Sequence, residues 1–167
     1  MKITDVECLV LERSFPFVRI HADQEITGIG ECFSRQPQVT KMLVEDVLKP
    51  SLIGKDPLDT ELRWREMASA GSALELGGAI FCAIAGLDIA LWDIKGKALG
   101  MPVYKLLGGP VRDKVVCYPH CQGATTEALV ENCMARIDEG WKFVRWGQPE
   151  TSGVFEARGH ALLEPVE

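Results

Sequence analysis

No apolar run in this 167-residue sequence is long enough to cross a bilayer. The longest, Leu76 to Leu87, spans about a dozen residues and stops at Asp88, against the roughly 18–20 a transmembrane helix needs. The N-terminus, Met1-Lys2-Ile3-Thr4-Asp5, brings an acid at position 5 and no apolar segment behind it, which predicts no signal peptide and a cytoplasmic protein. Positive charge is in deficit: 18 Lys and Arg face 24 Asp and Glu, a formal net charge of −6. That excludes the clustered basic surface nucleic-acid binding requires. No C-x-x-C pair occurs, and the six cysteines (8, 32, 82, 117, 121, 133) are scattered over strand-like and helix-like segments. They read as buried free thiols rather than a disulfide framework or a zinc site. Gly28-x-Gly30 is followed by Phe33, so there is no dinucleotide fingerprint. The phosphate loop, H-E-x-x-H and G-x-S-x-G are absent too.

What is present is the composition of a globular protein, 47% hydrophobic and 25% charged, of a length for one domain or one domain and part of another. Three short strands come first. Ile3 to Leu11 offers Val6, Cys8 and Val10 on one face by period two. Phe17 to Ala22 follows a brief connection, and Ile26 to Phe33 returns after the polar turn Asp23-Gln24-Glu25. Connections this short predict an antiparallel meander. Gly28 and Gly30 within the third strand signal a bulge or a close backbone approach.

Helices should cover this sheet. Pro37 suits a first helical position, and Val39, Met42, Leu43 and Val47 recur at helical spacing up to Pro50. Asp56-Pro57 repeats the start signal, predicting a helix that carries Leu58 and Leu62 towards Met67. Ala68 to Gly78, rich in Gly, Ser and Ala, reads as a flexible loop. The strongest helix runs from Ala79 to Leu99. Ile80, Ile84, Leu87, Leu91, Ile94 and Ala98 mark its apolar stripe, which predicts a central helix packed all round. Gly100 and Pro102 stop it. After the turn Leu106-Leu107-Gly108-Gly109-Pro110, Lys114 to Tyr118 reads as a buried strand. Thr125 to Asp138 reads as an amphipathic helix with Leu129, Cys133 and Ile137 on one face, and Trp141 to Trp146 as a second strand. That order predicts a parallel βαβ unit.

The stretch Ala83 to Gly108, AIAGLDIALWDIKGKALGMPVYKLLG, resembles the signature of the mandelate racemase/muconate lactonizing enzyme family of the enolase superfamily. Asp88, Ala90, Asp93, Gly96, Lys97, Leu106 and Gly108 fall at the signature's spacing, and ITGIGEC (26–32) resembles the family's third-strand segment. The resemblance implies a fold. Residues 1–110 would form an α+β capping domain, a three-stranded antiparallel meander plus helices. Residues 111–167 would begin a TIM-type (β/α) barrel whose strand ends carry catalysis. A complete barrel takes ~250 residues, so the expectation is one or two βα units of a truncated barrel.

The same resemblance implies chemistry. Family members hold Mg²⁺ with three carboxylates at the ends of the third, fourth and fifth barrel strands, and the ion stabilises the enediolate formed when the proton beside a substrate carboxylate leaves. None of those strands is in this sequence. Asp88 and Asp93, five residues apart on a helix, sit about 140° apart around its axis and do not replace them, which points to structural roles. No metal ligand and no cofactor are therefore expected for this chain by itself. On the second barrel strand the racemase and lactonizing branches carry Lys-x-Lys, where this chain has Arg145-Trp146-Gly147. Acid-sugar dehydratase branches place Arg at the first of these positions. Arginine releases its proton with difficulty but grips a carboxylate with two parallel bonds. The mannonate branch adds a Tyr in the following loop, and residues 148–167 hold no Tyr, only Phe155.

His120, at the end of the first barrel strand, takes a position lining the barrel mouth. Arg145 and His120 are thus the candidate catalytic residues, with an ion-pair arginine and a hydrogen-bonded loop histidine as the alternatives. Two loops that in the family close over the mouth correspond to Arg13–Phe17 and Ala68–Gly78, with Ser34 and Arg35 nearby as candidate substrate contacts; a solvated loop charge is the alternative for Arg35. The leading expectation is the N-terminal part of an acid-sugar dehydratase that, when complete, uses Mg²⁺, acts on a small acid sugar and assembles as a homo-oligomer, without nucleic acid or membrane. The alternatives are a non-catalytic capping-domain relic or regulatory protein and, disfavoured by the missing Lys-x-Lys, a racemase or cycloisomerase.

Overall fold

Three antiparallel strands open the chain in this computed structural model, which describes residues 1–33, 36–72 and 77–146. They are β1 (Ile3–Leu11), β2 (Phe15–Ala22) and β3 (Thr27–Glu31), in the order β1-β2-β3. Leu11 and Phe15 are register partners, and the Ser14 N–H closes the hairpin on the Leu11 carbonyl at 3.0 Å. Glu12 and Arg13 turn this corner at φ of 48° and 61°, a conformation costing a side-chain-bearing residue about 1 kcal/mol. Period two sends Val6, Cys8, Val18 and Ile20 inward, where all four are buried.

The cover is helical, with boundaries that differ from the sequence reading. Helix α1 (Pro37–Met42) does not end at Pro50. It runs through a π-helical turn, Leu43–Leu48, into α2 (Lys49–Leu52). The widened turn shifts the hydrogen-bond register just where Pro50 has no N–H to give. Asp56-Pro57 does not start a helix: the Asp56 side chain accepts the Leu58 N–H at 3.0 Å, a local turn that competes with helix, and α3 begins at Thr60. Residues 68–72, expected as loop, belong to α3 (Thr60–Ser72), and α4 (Gly77–Leu99) already includes Gly77 and Gly78; residues 73–76 lie outside the described residues. Tertiary packing overrides weak local propensity here. Gly71 lies so close to Ile80 that an added Cβ would sit 2.6 Å from its Cγ1.

Helix α4 organises this unit. Ile80, Ile84, Leu87, Leu91 and Ile94 are buried against Val6, Ile20, Leu43, Leu48, Leu52 and Met67. The glycines of β3 mark a close approach rather than a bulge. A Cβ on Gly30 would strike the Gly86 carbonyl, and one on Gly28 would strike the Ala90 carbonyl and lie 2.7 Å from Ile94 Cγ1. The helix is not packed all round, since Phe81, Ala85 and Ile89 are exposed at one-turn spacing. It ends as Gly100 and Pro102 predict. Gly100 takes φ 61°, its N–H reaches the Lys97 carbonyl at 3.3 Å, and the Met101 N–H reaches that of Gly96 at 2.9 Å, the paired bonds of a Schellman cap. Helix α5 (Val103–Leu106) follows.

The chain divides into two compact units, Met1–Val111 and Arg112–Glu167. The second contains β4 (His120–Cys121), α6 (Thr126–Asp138) and β5 (Arg145–Trp146), with β4 and β5 parallel. The strand expected over Lys114–Tyr118 is absent. Val115 and Val116 are 79% and 59% exposed and join no ladder. A parallel strand needs neighbours on its edges and cover on both faces, and a two-stranded sheet supplies too little of either. The strand expected over Trp141–Trp146 shortens to its last two residues for the same reason. Helix α6 forms as its pattern predicts: Thr125 caps it by accepting the Ala128 N–H at 3.2 Å. Gly140, at φ 95°, closes it, with the Trp141 N–H on the Arg136 carbonyl at 3.2 Å.

Candidate functional site

His120 and Arg145 are Cα partners in the parallel β4–β5 ladder, so their side chains leave the sheet on the same side. The strand–helix–strand order produces this pairing, and the Arg145 N–H locks it by donating to the Pro119 carbonyl at 3.0 Å. Both residues are exposed. The imidazole lies nearly parallel to the Tyr118 ring, 8° between planes and 6.0 Å between centroids. A guanidinium beside an imidazole at a strand end can grip a carboxylate or hydroxyl with one group while the other accepts or returns a proton. Ser34, Arg35, Gly147 and Phe155 lie outside the described residues.

Among the described residues no three His, Cys, Asp or Glu side chains come together as ligands. Asp93 is committed elsewhere: its Oδ2 accepts the Ile29 N–H at 3.0 Å and the Lys97 ammonium at 2.7 Å, while Lys97 also donates to the Thr27 carbonyl at 2.6 Å. The pair occupies backbone groups on the outer edge of β3 that would otherwise recruit a strand. The sequence carries this as an i,i+4 acid–lysine pair, read above only as two positions of the family signature. Burial, and secondarily Glu61, pushes the Asp88 carboxyl above its ordinary range, which suits an internal helix position. In the second unit, Glu127 is bonded by its own backbone N–H and by Thr125, which hold its carboxyl below the usual range.

A second polar cluster escaped the sequence reading. Glu7 Oε1, on the outer face of the sheet, accepts from Arg19 Nε at 2.6 Å and meets His21 Nε2 at 2.8 Å, with Thr27 Oγ1 3.4 Å from His21 Nδ1. The Arg19 guanidinium first, and His21 second, hold the Glu7 carboxyl down to about 2. Glu7 lies opposite Arg19, and His21 opposite Thr27. The cluster thus laces all three strands together on an open face. Alternation of Glu7 with buried Val6 and Cys8 carried the outward direction, but not the partner.

No helix among the described residues is long and apolar enough to cross a membrane. Residues 7–108 match the family described as mandelate racemase / muconate lactonizing enzyme, N-terminal domain. A D-galactonate dehydratase family member of Enterococcus gallinarum is 43% identical over 124 residues, 74% of this chain and 31% of that protein. A D-galactonate dehydratase of Verminephrobacter eiseniae is 37% identical over 158 residues, 94% of this chain and 41% of that protein. Among solved structures, an enolase from Pantoea ananatis with bound D-gluconate and Mg is similar at a TM-score of 0.74 and 31% identity, covering 87% of this chain and 36% of that one. The chain therefore spans 31% and 41% of the length of these two curated relatives. With a three-stranded antiparallel sheet under helices, a matching signature and relatives that are acid-sugar dehydratases, the chain belongs to the mandelate racemase/muconate lactonizing enzyme family of the enolase superfamily.

Proposed function

We propose that this chain is the cap, residues 1–110, and the opening of the catalytic barrel, residues 111–167, of an acid-sugar dehydratase. The observation that carries the reading is the register pairing of His120 with Arg145 at the ends of adjacent parallel strands, where such barrels collect their chemistry. Arg145 holds and orients the anionic substrate through two parallel N–H bonds. His120 moves a proton between substrate and solvent. The overall change removes the proton alpha to the carboxylate and expels the β-hydroxyl as water, leaving an enol that becomes a 2-keto-3-deoxy acid. Ser34 and Arg35 join this proposal as substrate contacts on the cap side. Magnesium belongs to the complete enzyme, as does assembly of identical subunits. The described residues do not fit the ion, for no three donors converge, and the chain by itself is inactive.

A chimera tests the reading: residues 1–146 of this chain joined to the remaining barrel of the Verminephrobacter eiseniae relative, assayed with D-galactonate and Mg²⁺. The expected result is 2-keto-3-deoxy acid formation, with His120→Asn and Arg145→Met each lowering kcat by about 100-fold while circular dichroism stays unchanged. Folded variants that keep the parental kcat would overturn the assignment of these two residues.

A further inference from the structure

The second unit brings two cysteines together that lie far apart in spacing terms. Cys121 ends β4 and is 1% exposed. Cys133 sits one helical turn beyond Leu129 on α6, on the face that packs towards the strand end, and is half-buried. Leu129 is buried, and the connection to it is tight. An added Cβ on Gly123 would collide with the Leu129 backbone, so the 121–125 segment lies directly against the first turns of α6. The Thr125 cap and the Schellman closure at Gly140 fix both ends of the helix. Cys121 and the packed face of α6 that carries Cys133 thus share one interior, and burial first, with Cys133 beside it second, holds the Cys121 thiol above its ordinary range. The remaining thiols are placed differently. Cys8 and Cys32 are buried in the first unit, with Cys32 pushed up to about 12 chiefly by burial, which makes it inert. Cys117 is exposed, its thiol 3.6 Å from the Val115 carbonyl.

We propose that Cys121 and Cys133 form a dithiol modification site that a low-molecular-weight disulfide, such as oxidised glutathione, converts to an intramolecular disulfide. Cys133, the more accessible thiol, attacks as thiolate on one sulfur of the oxidant and expels one glutathione thiolate, leaving a mixed disulfide. Cys121 then attacks the Cys133 sulfur, its proton passing to solvent, and expels the second glutathione. Two protein thiols are oxidised and one disulfide is reduced to two thiols, so atoms and electrons balance. The bond ties the middle of α6 to the end of β4, next to His120. Oxidation therefore tightens the unit that carries the candidate site.

The experiment equilibrates the full chain in mixtures of reduced and oxidised glutathione, quenches in acid and alkylates free thiols. Cleavage after Glu127 and Glu131 separates Cys121 from Cys133, and a Cys117→Ser background leaves Cys121 as the one thiol between Lys114 and Glu127. Mass spectrometry should find the Cys121 and Cys133 peptides joined and two hydrogens lighter. Their equilibrium constant for joining should be at least about tenfold greater in buffer than in concentrated urea, because the fold supplies the effective concentration. Cys121→Ser should leave glutathione on Cys133, and Cys133→Ser should leave Cys121 reduced. An equal constant in urea, or glutathione accumulating on Cys133 of the unsubstituted chain without the link, overturns the proposal.

Discussion

Glu7 shows how much one side chain does on an open sheet face. It is 29% exposed, and its Arg19 partner is 41% exposed, so solvent screens the pair and its contribution is well below the full value of its titration shift. The sign follows from linkage. The folded carboxyl titrates near 2 against an ordinary 4.5, so the folded state binds fewer protons than the unfolded one in that window. The stabilisation is complete above the ordinary value and disappears as pH falls through the folded one. Glu7→Gln should therefore lower the urea midpoint at neutral pH, and the gap between variant and parent should close as pH falls from 4.5 towards 2. A gap that does not change with pH would assign the loss to packing rather than charge. The Asp93–Lys97 pair works by a different route, with hydrogen bonds to strand backbone.

At the scale of elements, the contact between α4 and β3 decides the first unit, because backbone meets backbone with no side chain between. Gly30→Ala should destabilise by about 3 kcal/mol, the upper range for overpacking, since the added methyl meets the Gly86 carbonyl rather than a movable side chain. Gly78→Ala, where nothing lies within 4 Å, should be neutral or stabilising by up to about 1 kcal/mol. Urea unfolding of the two variants checks this, and a Gly30→Ala cost no greater than that of Gly78→Ala would remove the close approach from the account. The same elements show what a sequence discloses. The stripe from Ile80 to Ile94 announced α4 because a 3.6-residue period is written locally, and the short links of the meander dictated its antiparallel order. Asp56-Pro57 and Ala68–Ser72 misled because side-chain turns and Gly-Ser-Ala composition are local signals that packing of Gly71 on Ile80 overrides. Lys114–Tyr118 misled differently: a β-branched run expresses a preference for strand, but a strand exists only in a ladder. His120 and Arg145 were legible as neighbours because parallel order fixes which strand ends meet. The meeting of Cys121 with Cys133 was not, since it depends on where α6 folds back.

The two units differ as whole bodies. The first surrounds a continuous core drawn from β1, β2, Cys32 just after β3, the π-helical turn and the helices α2, α3 and α4. In the second, among the described residues, Cys121 and Leu129 are the buried apolar side chains, while Tyr118, Val130, Met134, Ile137, Phe143 and Trp146 are exposed. Such a unit has little apolar burial to oppose chain entropy, and its described residues bring no three His, Cys, Asp or Glu donors together. Glu127 spends its carboxylate on the start of α6, Glu131 is exposed on the same helix, and Glu139 is held by Arg136 at 2.9 Å. Separate carboxylates of this kind hold a hydrated Mg²⁺ only loosely, because the ion demands near-octahedral oxygen ligands and gives up water reluctantly. The purified chain should therefore bind Mg²⁺ no more tightly than about millimolar. It should form no 2-keto-3-deoxy acid from D-galactonate, D-mannonate or D-gluconate, since metal assistance commonly supplies several kcal/mol of the barrier reduction in such eliminations. Calorimetric titration with Mg²⁺, followed by a keto-acid assay over those substrates, measures both. Micromolar binding with turnover would mean that the donors come from another copy of the chain, or that the residues carrying the chemistry differ from those proposed.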